Sequence, residues 1–383
     1  MSETILLQNS DSIINNFVNS FFNIKLPQVI QPQFDGLYVF GDSLSDNGNV
    51  FIGQNYVRDN LNPNFEIAPS PPYFPGRASN GFVWTDYLAQ ELGFDLKPVL
   101  EFAQTAPVSE NSNGEYEINS SFGGNTATQS TNFAFGGAKL VNDVSDPGSL
   151  FTPSISTQVD WFLKDLEVKQ IEASEDALYV IGGGPNDYVF DDFTDPTEPV
   201  MVVTDVITDL YDAGARYFLV PNIPDLGGTP IGRSLSDEQT AFLTDISKRH
   251  DDLLETNLRN LERDLPDIEI ETVDLSGLNV DIANDPEAFG FTNITDSYLI
   301  REGANFSTAG DNPSEYLFFD EIHPTTVGHL LIADIAVEAT QDLGVSTIQL
   351  DSIRDIFDSI LASSSFDNYI KFESEIVTEE LFV

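Results

Sequence analysis

The chain has 383 residues, of which 63 are Asp or Glu and 16 are Lys or Arg, so its formal net charge is -47. That charge repels the phosphates of nucleic acid and anionic membrane surfaces, so we expect no nucleic-acid partner. Hydrophobic residues make up 41% of the sequence and Phe occurs 29 times, which indicates a packed globular protein and not a disordered acidic chain. The sequence contains no Cys, so a thiol nucleophile and a disulfide scaffold are excluded.

Short β-rich runs alternate with helical periodicity along the chain, which is typical of a parallel sheet with helices on both faces. The predicted strands are 36–40, 131–135, 177–182, 216–220 and 268–273. The predicted helices are 80–92, 156–171, 200–213, 237–264 and 325–341. Two stretches rich in Asn, Pro, Ser and Gly, 53–77 and 101–129, are predicted to be loops. The expected fold is an α/β three-layer α/β/α sandwich with a five-stranded parallel sheet.

This pattern divides the chain into an N-terminal extension over 1–34, one globular domain over 35–345, and a helical, acidic tail over 346–383. The N-terminus lacks the basic region of a secretory signal, and no run reaches the roughly 18 apolar residues of a membrane span. The final residues, Glu379–Val383, are an acidic pair and an apolar triplet. They are similar to C-terminal export signals of one-step bacterial secretion and equally fit a frayed tail. We therefore expect a bacterial-type soluble protein, either secreted without a Sec signal or cytoplasmic.

The residues that point to chemistry are one serine and one histidine with an acidic neighbour. Ser43 follows the first predicted strand, and the sequence holds three histidines, His250, His323 and His329. A serine hydroxyl is a poor nucleophile unless a base takes its proton and a third group orients that base. Asp320 stands three residues before His323 and can turn back to it. Together these residues predict a serine hydrolase.

Four blocks in this order resemble the GDSL, or SGNH, family of esterases and lipases. They are FGDSLSDNGN at 40–49, NFAFGGA at 132–138, GGPND at 183–187 and DEIHP at 320–324. The run GRASNGFVW at 76–84 is similar to a segment of the long lecithinase, hemolysin and plant-type members. The resemblance covers about residues 35–340 and implies a flavodoxin-like SGNH-hydrolase fold. Pro185 departs from the family, in which many members run from glycine directly into asparagine.

The resemblance also implies a role for individual residues. Ser43 is the expected nucleophile, His323 the base and Asp320 the group that orients it. The expected oxyanion hole consists of the Ser43 and Gly137 N–H groups and the side-chain amide of Asn186. Gly137 is preferred to its neighbour because the family's functional glycine follows the asparagine of the second block by five positions.

Each of these residues taken alone also fits an ordinary structural role. Ser43 fits a helix N-cap, Asp320 fits the cap of the helix that begins near Thr325, and Asn186 fits an Asx turn. The remaining histidines, His250 and His329, lie in predicted helices and fit packing or surface positions.

We expect no cofactor and no metal. An EF-hand loop with Gly48 in its sixth position would have Ser43 first and Gln54 twelfth, and neither is a carboxylate. The glycines at 182–184 lack the GK[ST] of a phosphate loop and the GxGxxG of a dinucleotide fold. Three scattered histidines also argue against a zinc cluster.

The sequence therefore predicts cleavage of carboxylic esters through an acyl-enzyme, and the resemblance implies lipid or fatty-acyl substrates. We expect a monomer whose partners are a small-molecule ester or lipid and, transiently, lipid assemblies. The alternatives are a carbohydrate deacetylase or an acyltransferase on the same fold, and a non-catalytic binding module. The aromatic residues of the predicted loops fit the lining of an acyl pocket, and core or loop packing explains them equally well. These residues are Phe51, Tyr56, Phe65, Tyr73 and Phe74.

Overall fold

The computed structural model describes residues 34–68, 71–112, 114–141, 152–190, 193–302, 305–310 and 312–343. All of them lie within one structural unit, Pro32–Thr347. The predicted N-terminal extension, except Phe34, and the predicted tail with its candidate export signal lie outside the described residues.

Twelve strands are formed by the described residues. They are β1 Leu37–Phe40, β2 Lys97–Pro98, β3 Val108–Glu110, β4 Tyr116–Ile118, β5 Thr131–Asn132, β6 Leu178–Ile181, β7 Tyr217–Pro221, β8 Glu269–Val273, β9 Asn293–Ser297, β10 Leu299–Glu302, β11 Asn305–Thr308 and β12 Tyr316–Phe318. A six-stranded parallel sheet runs in the order β2-β5-β1-β6-β7-β8. Two antiparallel pairs, β3-β4 and β10-β11, and one parallel pair, β9-β12, lie outside it.

Nine α-helices are formed by the same residues. They are α1 Asn49–Asn60, α2 Trp84–Leu92, α3 Ile155–Lys169, α4 Pro185–Phe190, α5 Thr197–Asp212, α6 Pro230–Ser234, α7 Asp237–Asp264, α8 Leu275–Asn284 and α9 Thr326–Thr340. Among the described residues, none of these helices is both long enough and apolar enough to cross a membrane.

Helices cover both faces of the sheet. Alternate strand side chains, such as Phe40 and Ile181, share one hydrophobic core with α3, α5 and α7. The intervening side chains, such as Val39 and Val180, are also fully buried and face the opposite side, because successive residues of a strand alternate. On that side α9 contacts β7, β8 and α2. The predicted α/β sandwich is therefore confirmed.

All five predicted strands are present, although the second covers only Thr131–Asn132 and not 131–135, and the predicted count of five is wrong. Strand β2 adds a sixth, pairing with β5 through Lys97 and Pro98. A two-residue edge strand that contains a proline is too short to create a periodic pattern, and proline is tolerated at a sheet edge.

The two predicted loops are wrong in part. Helix α1 occupies residues 49–60, and its first N–H groups are satisfied by a carboxylate that precedes it. Asp46 accepts from Gly48 at 2.8 Å, from Asn49 at 2.7 Å and from Val50 at 3.2 Å. A carboxylate at a helix N-terminus stabilises it through these bonds and through the helix dipole. The second predicted loop contains the β3-β4 hairpin.

The strand order brings the predicted site residues to one edge of the sheet. Strand β1 lies in the middle, and the chain places β5 on one side of it and β6 on the other. At such a reversal, the loops after the carboxyl ends of the strands form a crevice that binds ligands. Ser43, Gly137 and Asn186 follow β1, β5 and β6 respectively.

Candidate active site

Ser43 lies in a tight turn directly after β1. The amides of Ser45 and Asp46 donate to the carbonyl of Asp42 at 3.0 Å and 2.9 Å. The entry to the turn is held by Gln158 of α3, whose side-chain oxygen accepts from the Gly41 amide at 2.8 Å and whose side-chain nitrogen donates to the Gly41 carbonyl at 2.9 Å. Because α1 begins six residues later, Ser43 is not a helix N-cap.

His323 bridges Ser43 and Asp320. Its Nε2 lies 2.9 Å from Ser43 Oγ, and its Nδ1 lies 2.8 Å from Asp320 Oδ2. An ionised carboxylate can only accept, so the neutral imidazole carries its proton on Nδ1 and presents the lone pair of Nε2 to the serine hydroxyl. The structure therefore brings together the three residues that the sequence analysis selected, in the arrangement that removes a proton from serine.

The turn that carries Asp320 and His323 is held by its own backbone. Asp320 Oδ1 accepts from the amides of Ile322 at 2.8 Å and His323 at 2.7 Å, and the Phe319 amide donates to the His323 carbonyl at 2.8 Å. Helix α9 is capped instead by Thr325, whose side chain accepts from Gly328 N. Asp320 is therefore not the cap of that helix.

Asp320 and His323 stabilise each other's charged forms. Burial acts to raise the pKa of Asp320, but the charge of His323 and the hydrogen bonds from His323 and Ile322 outweigh it and lower that pKa to about 2. Burial acts to lower the pKa of His323, but the Asp320 carboxylate outweighs it and holds that pKa above its ordinary value. The imidazole is consequently a stronger base than a free histidine.

The two glycines after β5 differ in what their amides do. The Gly136 amide donates to Asp46 Oδ2 at 3.0 Å, whereas among the described residues no acceptor faces the amide of Gly137. Gly137 has a φ of 80°, in the left-handed region that favours glycine, and a methyl group there would lie 2.9 Å from Thr152 Cγ2. Of the two N–H groups, that of Gly137 is the one without an acceptor among the described residues.

Asn186 lies at the start of α4 and is buried. Its Nδ2 donates to the carbonyl of Ala138 at 2.8 Å. An amide nitrogen carries two hydrogens, and the second has no acceptor in the part of the chain that the structure describes. Pro185 occupies the first position of α4, where the missing N–H has no helical partner in any case. The departure from the family pattern therefore fits the helix start.

A mostly apolar cleft opens beside Ser43 and Asn186. Its apolar lining includes Leu226, Leu275, Leu278, Ile282, Leu317 and Ile332. The loop aromatics named in the sequence analysis are not part of this lining. Phe65 packs edge-on against Tyr116, and Phe74 packs against Phe82. Tyr73 instead contacts the site at Asp320, where its hydroxyl donates to Oδ2 at 2.7 Å.

Sequence reasoning did not identify Gln158 or the contact of Tyr73 with Asp320. Gln158 lies inside an ordinary amphipathic helix, and Tyr73 lies in a proline-rich stretch far from Asp320 in the chain. Neither position carries a local signal, because the contact exists only in the folded protein.

The other two histidines take no part in this arrangement. Burial lowers the pKa of His250 to about 4 and that of His329 to about 3. His250 Nδ1 lies 2.7 Å from the Tyr188 hydroxyl, and His329 Nδ1 accepts from the amide of Trp84 at 3.3 Å. Both are neutral packing residues.

Comparison with known proteins agrees with this geometry. The family described as GDSL-like Lipase/Acylhydrolase matches residues 37–336. A GDSL esterase/lipase of Arabidopsis thaliana is 24% identical over 332 residues, which cover 79% of this chain and 88% of the relative. The sinapine esterase of Brassica napus is 27% identical over 351 residues, which cover 79% of this chain and 84% of that protein.

A solved structure, the lipase/acylhydrolase from Enterococcus faecalis, aligns over 82% of this chain and 98% of that chain, with 11% identity and a TM-score of 0.36. Since the family match spans most of the chain, the protein belongs to the GDSL-like lipase/acylhydrolase family and is a carboxylic ester hydrolase.

Proposed function

We propose that the protein hydrolyses fatty-acyl esters through an acyl-enzyme formed on Ser43. The observation that carries this proposal is the continuous hydrogen-bonded chain from Ser43 Oγ through His323 to Asp320. It supplies a nucleophile, a base with the correct tautomer, and a carboxylate that stabilises the imidazolium formed in the reaction.

In the first half-reaction Ser43 Oγ attacks the ester carbonyl carbon while its proton passes to His323 Nε2. The tetrahedral intermediate collapses, the bond to the alcohol oxygen breaks, and the imidazolium gives its proton to the departing alcohol. Water then attacks the acyl-enzyme and gives a proton to His323, and the acid leaves as Ser43 recovers its proton. Asp320 stays ionised throughout, which its low pKa favours.

Three donors stabilise the oxyanion in both half-reactions: the amides of Ser43 and Gly137 and the second N–H of Asn186. The engagement of the Gly136 amide by Asp46 supports this choice of glycine. Removing one such donor typically costs about 3 kcal/mol of transition-state stabilisation.

The apolar cleft supports an acyl chain as the group that lies beside Ser43. Aliphatic side chains from α8, α9 and β12 dominate its lining, and each methylene of a chain buried there contributes about 0.8 kcal/mol. Transient contact with lipid assemblies and a monomeric state stay predictions of the sequence.

The experiment is hydrolysis of p-nitrophenyl esters from acetate to palmitate by the wild type, Ser43→Ala and Ser45→Ala. We expect Ser43→Ala to fold normally and to lose about four orders of magnitude or more in kcat. Ser45→Ala is the matched control, because it also removes a hydroxyl from this turn. The Ser45 hydroxyl does not face His323 but accepts from Trp84 Nε1, so the Ser45→Ala variant should keep turnover.

Labelling with a fluorophosphonate probe gives a second readout. Wild type and Ser45→Ala should be labelled, and Ser43→Ala should not. Turnover or labelling that survives in Ser43→Ala would remove Ser43 from the mechanism. A sharp preference for acetate over medium and long chains would overturn the fatty-acyl assignment and leave the hydrolase chemistry standing.

A further inference from the structure

The hydroxyl of Tyr73 shares an acceptor atom with His323. It donates to Asp320 Oδ2 at 2.7 Å, and His323 Nδ1 lies 2.8 Å from the same oxygen. The other carboxylate oxygen, Oδ1, receives two backbone amides. Among the described residues, Tyr73 is thus the side chain besides His323 that donates to Asp320, and the mechanism above gives it no task.

The ring of Tyr73 is fixed on the turn that carries Asp320 and His323. It packs edge-on against Phe319 with ring centres 5.1 Å apart and against Phe306 with centres 6.3 Å apart. Phe319 directly precedes Asp320 in the chain, so the ring packs against the segment that carries the acid.

The segment that carries Tyr73 is tied to the same region at a second point. The amide of Phe74 donates to the carbonyl of Ser79 at 2.8 Å, and Ser79 Oγ donates to the carbonyl of Pro324 at 2.9 Å. Because Pro324 follows His323, the 73–79 segment holds the turn from both ends.

We propose that Tyr73 is a positioning residue that fixes Asp320 Oδ2 towards His323 and moderates the basicity of the imidazole. The hydroxyl places a partial positive charge on the carboxylate. The hydrogen bond from the Tyr73 hydroxyl to Asp320 is strongest while the imidazole of His323 is neutral. When His323 is protonated, the imidazolium already compensates much of the carboxylate charge. Tyr73 therefore favours the neutral, proton-accepting form of His323. This inference rests on the proposed roles of Ser43, His323 and Asp320.

Other charged groups also act on His323 and stay in place when Tyr73 is changed. Asp42 and Glu321 raise its pKa, and His329 lies close enough to be affected by its charge. Burial raises the pKa of Asp42 to about 6, and Asp187 adds to that rise. The titration of Asp42 can therefore contribute to the acid limb of the pH–activity profile, so the titration of His323 has to be observed directly.

The test is the pH dependence of kcat/KM for p-nitrophenyl butyrate in wild type and Tyr73→Phe, with the His323 imidazole followed by NMR in parallel. Tyr73→Phe keeps the ring and its packing and removes the donor. We expect the acid limb and the His323 titration to move together to higher pH by about half a unit or more.

Tyr298→Phe is the control, because its ring stacks on Phe319 in the same aromatic cluster and its hydroxyl is not among the donors to Asp320. It should leave both titrations unchanged. Incorporation of 3-fluorotyrosine at position 73 makes the hydroxyl a stronger donor, so the acid limb of the activity profile and the His323 titration should both move to lower pH. This second variant decides the question even where Tyr73→Phe folds poorly.

An unmoved His323 titration in both folded Tyr73 variants would overturn the inference, and a loss of rate without any shift would reduce Tyr73 to a packing residue. These outcomes are separate from failure of the proposed function, which would appear as activity in Ser43→Ala. Opposite shifts in the two Tyr73 variants, with an unchanged Tyr298→Phe control, would support the inference.

Discussion

Gly137 is the residue at which backbone conformation and the proposed chemistry coincide. Its φ is 80° and a methyl group there would lie 2.9 Å from Thr152 Cγ2. Gly137→Ala should therefore displace the amide that we assign to the oxyanion. We expect kcat to fall by about 10²–10³ with KM changed only a few-fold, because the donor acts mainly in the transition state. Steady-state kinetics on p-nitrophenyl esters measures both.

Gly93→Ala controls for the cost of left-handed backbone alone. Gly93 ends α2 with a φ of 79°, and a methyl group there would meet nothing within 4 Å. It should lose about 1 kcal/mol of stability and keep the wild-type kcat. A folded Gly137→Ala enzyme with wild-type kcat would exclude that amide from the oxyanion hole.

The residues of the candidate triad could be found from the sequence because their types are scarce and their chemistry is specific. With three histidines and no cysteine, few combinations of nucleophile and base existed. Tyr73 and Gln158 act through contacts with Asp320 and Gly41 that only the tertiary fold creates. One of 12 tyrosines cannot be singled out by type alone.

Helix α8 is the element that bears most directly on the proposed acyl site, because Leu275, Leu278 and Ile282 all line the cleft. Leu278→Trp should fill part of that space and move the preferred ester to shorter chains. Excluding two methylenes costs about 1.6 kcal/mol, so kcat/KM for long relative to short esters should fall about tenfold or more. A series of p-nitrophenyl esters gives this ratio.

Val280→Trp is the matched variant on the same helix. Val280 is 58% exposed and does not line the cleft, so the added ring should leave the chain-length profile unchanged. Equal profiles for Leu278→Trp and wild type would show that the acyl chain lies elsewhere.

The elements found from sequence were those whose signals are local. Helix α7 was predicted with its observed bounds, Asp237–Asp264, from its long periodic stretch, and in the structure Ser236 and Gln239 form a capping box that begins it. Helix α1 was missed because residues such as Gly53 and Asn55 favour a loop by type, and this outweighed the local signal of Asp46, which satisfies its first amides. Short strands such as β2 depend on pairing with a neighbouring strand and leave no periodic pattern in the sequence.

At the scale of the whole molecule, charge is the dominant feature. If each of the 16 Lys and Arg paired with one of the 63 Asp and Glu, 63 - 16 = 47 carboxylates would still be uncompensated. Several ion pairs are exposed contacts within one helix, such as Lys248–Asp252 and Arg259–Glu255, and these contribute little to stability. The folded chain therefore carries a large self-repulsion that the unfolded chain relieves by expanding.

Salt should reduce that repulsion, because the Debye length falls from about 30 Å at 0.01 M to about 3 Å at 1 M ionic strength. We expect the Tm at pH 8 to rise by about 5 °C or more between low salt and 1 M NaCl, as measured by calorimetry. The same comparison at pH 4.5, close to the pI of about 4.1, is the control. There many carboxylates are protonated, so the rise should be smaller. A Tm at pH 8 that stays flat or falls with NaCl would mean that the acidic surface does not limit stability.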